Sequence, residues 1–344
     1  QAPRRHPVSP MARVHRRAGW LALVLLVASL VLLVVGAAVG ATGLADLRAL
    51  GKDPTAWPIV RDIRLPRSLG AWLAGALLGL AGAVAQGLFR NPLADPFLLG
   101  SASGASLGVA LALALFGISP QAASWLATLG LTGAAFAGAM GAVLLTLALA
   151  RGVQHTLRLL LGGVIVGVVL GALGSLITLM VPETLPAMQA FMLGSTGFVG
   201  WPACVPMAVA FVLCLLAAWI VSPVLDGLSL GEATARSLGL PLGPLRLALV
   251  AVLALATGAA VAQTGLIAFV GLAAPHLVRS VVKTTHGRLV GLSALAGGVL
   301  LLGADLLARA LIAPQELPVG VLTAVLGGGY LLWLMHRGRG GRVA

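Results

Sequence analysis

The chain has few charged residues, few aromatic rings and only two cysteines. Charged residues fill 9% of its 344 positions, against about 25% in an ordinary globular domain, so water is not its main solvent. Aromatics reach 5%, with a single tyrosine, and the basic residues lie scattered between apolar stretches. A net charge of +13 therefore does not imply nucleic acid, because no stacking platform accompanies it. The two cysteines, Cys204 and Cys214, share one apolar segment at a spacing that suits neither metal nor redox chemistry, and read as small helix residues. Gly51-Lys52 is the one Gly-Lys pair, and Asp53 follows it, which excludes a phosphate-binding P-loop. No paired carboxylates, metal-ligand spacing or nucleophile-base set appears either, and this argues against a membrane-embedded enzyme.

What the chain does have is apolar sequence, 59% of it. A membrane-spanning helix needs about 20 mostly apolar residues. Runs of that kind fall at 19–41, 68–89, 98–117, 122–150, 159–181, 203–222, 246–264, 266–282, 289–308 and 319–336. The expected fold is all-α, a polytopic membrane protein of about ten transmembrane helices. The seventh and eighth runs are divided only by Gln263-Thr264-Gly265, so nine spans is the alternative. One transmembrane domain is expected over 19–336, with a cytoplasmic loop at 222–246, between basic tails at 1–18 and 337–344. The first run follows Arg4, Arg5, Arg13, Arg16 and Arg17, as in a signal peptide, yet it exceeds the roughly 7 to 15 residues of a signal core and reads as a retained helix.

Basic residues favour the cytoplasmic side of a membrane. Ten spans with a cytoplasmic start place Arg90, Arg151, Arg158, Arg236, Arg246, Arg279, Lys283 and Arg288 inside, together with both tails. Arg48, Lys52, Arg61, Arg64, Arg67 and Arg309 fall outside. Both termini are thus expected in the cytoplasm, and the location expected is a bacterial inner membrane. Among 46 glycines, several recur at helical spacing: Gly75 and Gly79; Gly100, Gly104 and Gly108; Gly163, Gly167 and Gly171. Such ridges let helix backbones approach closely in lipid. Gly82-Ala83-Val84-Ala85-Gln86 also echoes Gly258 to Gln263 in the opposite orientation, as an inverted repeat would; an Ala- and Gly-rich composition produces the same similarity by chance.

Three places carry candidate function. At the outer face, Arg61, Arg64 and Arg67 run against the topology rule. They suit either interfacial snorkelling with pairing to Asp62 or a docking platform for carboxylates of a soluble partner, which Arg309 could complete. At the inner face, Asn91-Pro92-Leu93-Ala94-Asp95-Pro96 interrupts an apolar region with two prolines. Irregular backbone at membrane depth lines a cavity or is buried in protein, so this segment is a candidate gate or an ordinary tight turn. The third place is Leu230 to Pro241, where Glu232 and Arg236 stand at i,i+4, Gly239 offers a C-cap and Pro241 a stop. This short cytoplasmic helix is either plain surface or the element another protein pushes upon. Asp305 can pair with Arg309 near the outer end, whereas an ion-coupled secondary carrier, the competing class, would place ionisable groups at mid-membrane. His276 could touch an iron-bearing cargo, but lacks a second ligand and reads as structural.

In order along the chain, Arg64-Leu65-Pro66-Arg67, Ala74-Gly75-Ala76 to Gln86, Arg90 to Pro96 with Leu99-Gly100, Leu230-Gly231-Glu232 to Leu240, Phe269-Val270-Gly271-Leu272 with Pro275-His276, Ala304-Asp305 to Arg309, and Glu316-Leu317-Pro318-Val319-Gly320 resemble the iron-siderophore, haem and vitamin B12 permeases of type II ABC importers. The resemblance implies a homodimer of ten-helix subunits, two separate ATPase subunits that bind ATP and Mg, and one periplasmic binding protein. No cofactor is implied in this chain, and no nucleic acid; membrane lipid surrounds it. The family's docking arginines correspond to Arg64, Arg67 and Arg309, with Arg61 extending the motif. Its cytoplasmic gates correspond to Asn91, Leu93, Thr156 and Leu160, and its coupling helix to Gly231, Glu232, Ala235, Arg236, Leu238 and Gly239. Residues Gly87 to Pro96 resemble haem members, so haem is the expected cargo, ahead of ferric siderophore or vitamin B12.

Overall fold

A computed structural model describes residues 10–39, 56–116, 125–150 and 156–339, and these are helical almost throughout. The helices are α1 (Pro10–Ala38), α2 (Ala56–Ile59), α3 (Leu65–Leu88), α4 (Ser101–Phe116), α5 (Trp125–Leu149), α6 (Thr156–Met180), α7 (Leu185–Leu193), α8 (Trp201–Ser229), α9 (Glu232–Ser237), α10 (Leu242–Thr264), α11 (Val270–Val281), α12 (His286–Ala310) and α13 (Val319–Arg339). A π-helical turn, Val60–Arg64, joins α2 to α3 without a break. Seven helices among the described residues are long and apolar enough to cross a membrane, and α4 and α13 are shorter apolar helices. The protein is an all-α, multi-span membrane protein.

Helix α3 is the centre of the bundle. It packs against α8, α10, α11 and α12 and buries nearly every residue from Gly70 onward. Glycine makes these contacts possible. A Cβ on Gly75 would stand 2.3 Å from the carbonyl oxygen of Gly297 on α12, and one on Gly79 2.2 Å from that of Ser293. On Gly82 it would stand 1.7 Å from the Gly271 oxygen of α11. The second ridge behaves likewise, because Gly104 and Gly108 of α4 abut the carbonyls of Gly138 and Ala134 on α5. In the third, Gly163 alone is tight; Gly167 and Gly171 have ordinary contacts. Nothing hydrophobic drives helices together in lipid, so this close van der Waals fit is what holds them.

The break between the seventh and eighth runs lies where Gln263-Thr264-Gly265 marks it. Gly265 takes φ +68° and closes α10, and residues 265–269 run non-helically to α11. Helix α11 has 12 residues, about 18 Å at 1.5 Å per residue, too short to span the roughly 30 Å hydrocarbon core alone. Its irregular lead-in is partly buried in protein, and backbone bonds tie this break to residues 191–195: Leu266 N–H donates to Phe191 O at 3.0 Å and Ser195 N–H to Thr264 O, at the end of α10, at 2.8 Å.

The helix limits differ from the apolar runs at several places. The expected loop 222–246 shrinks to 230–241, because Val224, Leu225 and Leu228 continue the buried face of α8 down to Ser229. Of the two basic tails, residues 10–18 belong to α1 and residues 337–339 to α13; the others lie outside the described residues. Finally, α7 occupies a stretch read as an outer connection; Pro186, in its first turn, starts a helix without needing an N–H donor.

Candidate functional site at the two faces of the bundle

The two ends of the bundle are named outer and inner by the orientation that the charge pattern leads one to expect, and the outer end is an ion-pair cluster. Asp305, on the last turns of α12, has no exposed surface and accepts hydrogen bonds from Arg309, Arg67 and Thr196. Arg67 donates to Asp305 at 3.1 Å and also grips Glu316, at 2.9 and 2.8 Å to its two oxygens. Two guanidiniums and two carboxylates therefore neutralise one another. The i,i+4 pairing of Asp305 with Arg309 was legible in the sequence. The exposure of Arg309 was not: it is 4% exposed, lies behind Ser68 and donates weakly to Gly36 O, so it faces the interior rather than the rim. Arg64 donates to Ala38 O at 3.3 Å. Arg64 and Arg309 thus meet the last carbonyls of α1, where a cation complements the helix dipole. That is a physical reason for arginines on this face besides docking. Arg61 is exposed and paired with Asp62 at 2.9 Å, and its own carbonyl accepts the Trp201 indole N–H.

At the inner end, residues 89–100 form the irregular connection expected from the two prolines. Asn91 Oδ1 accepts the Leu93 N–H at 2.9 Å and Asp95 Oδ1 the Phe97 N–H at 2.8 Å, two side-chain turns that hold its succession of turns. Pro96 packs on Gly271 of α11, Leu99 O accepts from Thr146 of α5, and Leu98 O abuts Gly163 of α6. The segment is thereby clamped among three helices within a turn of Leu160. Asn91 and Leu93 remain exposed, Leu160 is half-buried, and Thr156 opens α6.

Helix α9 is the expected short helix, entered through Gly231 at φ +107° and left through Gly239 at φ +77°. Gly239 N–H reaches Arg236 O and Leu240 N–H reaches Ala235 O, a Schellman closure that satisfies the last carbonyls. Ala235 is fully buried against Val224, Leu228 and Leu242, so it seats the helix and is not part of its outer face; Leu238, at 62% exposure, and Arg236 are. Glu232 binds Arg236 at 2.7 Å and, across the connection, the buried Arg246 of α10 at 3.1 Å. The Arg246 hydrogen bond above all holds the Glu232 carboxyl below the usual carboxylate range. This strut between α9 and α10 escaped the sequence reading, since nothing local reveals that residues 14 positions apart will meet. So did Asp226 at the foot of α8, which accepts both the backbone N–H and Nδ1 of His286 and so caps α12.

The remaining candidates are placed without a chemical role. His276 stacks edge-on against Tyr330, 5.8 Å between ring centres. Cys204 and Cys214 are buried free thiols donating to Pro66 O and Val252 O. Gln86 and Gln263 both sit in the last turn of their helices, and Gln86 receives Arg279 while donating to Leu272 O.

A model of the FecCD transport family matches residues 21–337. The chain belongs to the FecCD transport family. Among FecCD relatives, the hemin transport system permease protein HmuU of Yersinia pestis is 38% identical over 316 residues, covering 90% of this chain and 93% of that protein. The vitamin B12 import system permease protein BtuC of Salmonella typhimurium is 40% identical over 277 residues, 80% and 83% of the two chains. A solved ABC transporter of metal-chelate type, in an inward-facing conformation, superposes with a TM-score of 0.81 at 31% identity, over 93% of this chain and 98% of that one. FecCD members are membrane permease subunits of ABC importers, and this chain is a permease rather than an enzyme.

Proposed function

We propose that this permease carries an iron chelate, haem foremost, from periplasm to cytoplasm across a bacterial inner membrane, as a homodimer with both termini cytoplasmic. The observation that carries the reading is where charge is buried. The fully buried charged side chains of the described residues, Arg246, Asp305 and Arg309, lie at the two ends of the bundle, each beside an opposite charge. Between them stand apolar helices and glycine crossings. Such a molecule is worked from its ends. On the outside, Arg61, Arg64 and Arg67 receive acidic residues of a soluble binding protein, with Arg309 bracing the rim from behind. On the inside, α9 meets an ATPase subunit carrying ATP and Mg; Glu232 passes its movement to Arg246, and the 89–100 segment and the start of α6 open or shut with it.

Haem is placed first because the relative named for hemin transport is matched over more of both chains than the one named for vitamin B12. Vitamin B12 and ferric siderophores are the alternatives. The test is uptake into liposomes by the permease with its ATPase and binding protein, offered haem, a ferric siderophore and vitamin B12 in turn. ATP-dependent uptake of haem is expected. Uptake that follows an ion gradient and ignores ATP would make the protein a secondary carrier instead. Orientation is tested by R61C in a C204A/C214A background: an impermeant thiol reagent should label it from outside the cell.

A further inference from the structure

We propose that Glu316 is an internal stand-in for the docking partner's carboxylate, occupying the face of Arg67 that a binding protein must take over. The inference rests on the docking role assigned to Arg67 above. It comes from the difference between the two acids that Arg67 holds. Asp305 is wholly buried, is shared with Arg309 and Thr196, and cannot leave without stranding charges inside the bundle. Glu316 stands in an exposed turn between α12 and α13, keeps 36% of its side chain exposed, and has Arg67 as its partner. Its carboxylate engages Nη1 and Nη2 of Arg67 in the two-pronged manner that a partner's Asp or Glu would use. The turn beneath it is pinned independently, by Leu317 N–H donating to Ala308 O at 3.1 Å. Glu316 can therefore rotate outward about its own side-chain bonds while the backbone stays in place.

The consequence is an exchange rather than an addition. An arriving carboxylate replaces one bidentate bond with another, so the net gain at Arg67 is small and the contact serves orientation more than affinity. Arg61, held by Asp62, is arranged in the same way at the exposed edge. A permease that must release an emptied partner is served by a rim whose charges are already answered.

The test uses the full permease–ATPase complex in lipid nanodiscs, with the purified cargo-free binding protein of the same importer as the probe, and reads binding and dissociation rates. E316Q should tighten capture about three- to five-fold, the size expected of an ion pair that solvent still reaches on the Glu316 side, mostly through slower dissociation, and the gain should shrink at high salt. In an R67Q background E316Q should change nothing. Unchanged or weakened capture in E316Q alone would overturn the proposal and make Glu316 a residue that merely orients Arg67. R67Q by itself leaves Glu316 unanswered and repelling the partner's acids, so it should weaken capture; if capture stays intact, the docking role fails first, a separate result. Should E316Q fold poorly, E316D, whose shorter arm cannot span the same gap, reads the same competition.

Discussion

Replacing Asp305 by Asn removes one charge and almost no volume, so it isolates the electrostatics of the outer cluster. Asp305 is 0% exposed and Arg309 4%, which leaves Arg309 without a counter-charge inside protein; Arg67 retains Glu316. Breaking a buried pair from one side costs about 3–5 kcal/mol. Arg309 keeps only long bonds, 3.4 Å to Gly36 O and 3.5 Å to Ser68 Oγ, which together return about 1 kcal/mol. The expected loss is about 3 kcal/mol, a fall in Tm of roughly 4 °C for a chain of this size. Thermal unfolding of the detergent-purified protein, followed by tryptophan fluorescence and by helical circular dichroism, measures it. D305N/R309Q, which removes both charges, should recover at least half the loss. D305N melting within about 1 °C of the parent, or a double variant no better than D305N, would refute the reasoning.

At the inner end, R246Q should release Glu232 and leave the ATPase subunit bound but its hydrolysis several-fold less effective in driving uptake; normal coupling would remove Arg246 from the transmission path. Gly82→Val places a side chain where the Gly271 oxygen already sits, and should cost well above the about 1–3 kcal/mol of ordinary overpacking, whereas Gly291→Ala, inside α12 where a new Cβ meets nothing within 4 Å, should hold Tm or raise it slightly, because alanine loses less backbone entropy in a helix. Because the carboxyl of Glu232 is lowered in the folded protein, its strut is fully present above the ordinary carboxylate pKa and is lost as pH falls through the lowered value. A spin label at position 238 should therefore stay equally ordered down through the ordinary carboxylate range and loosen only below it, and E232Q should abolish that transition.

Sequence alone settled what the solvent is and roughly where the helices lie, since apolar runs and the scarcity of charge are properties of composition that no tertiary contact alters. The break at Gln263-Thr264-Gly265, the irregular 91–96 segment and the capped helix at 232–237 were legible for the same reason: glycine and proline act locally on backbone dihedrals. The Asp305–Arg309 pair was legible because helical geometry fixes what stands four residues away. The rest was decided in three dimensions. Whether Arg309 faces partner or interior depends on α1 and Ser68 closing over it, and whether Arg67 is free depends on a glutamate far along the chain. Glu232 with Arg246 and Asp226 with His286 likewise join elements through packing. Charge pattern gave an expected face for each residue; only the assembled bundle told which charges had already found one another.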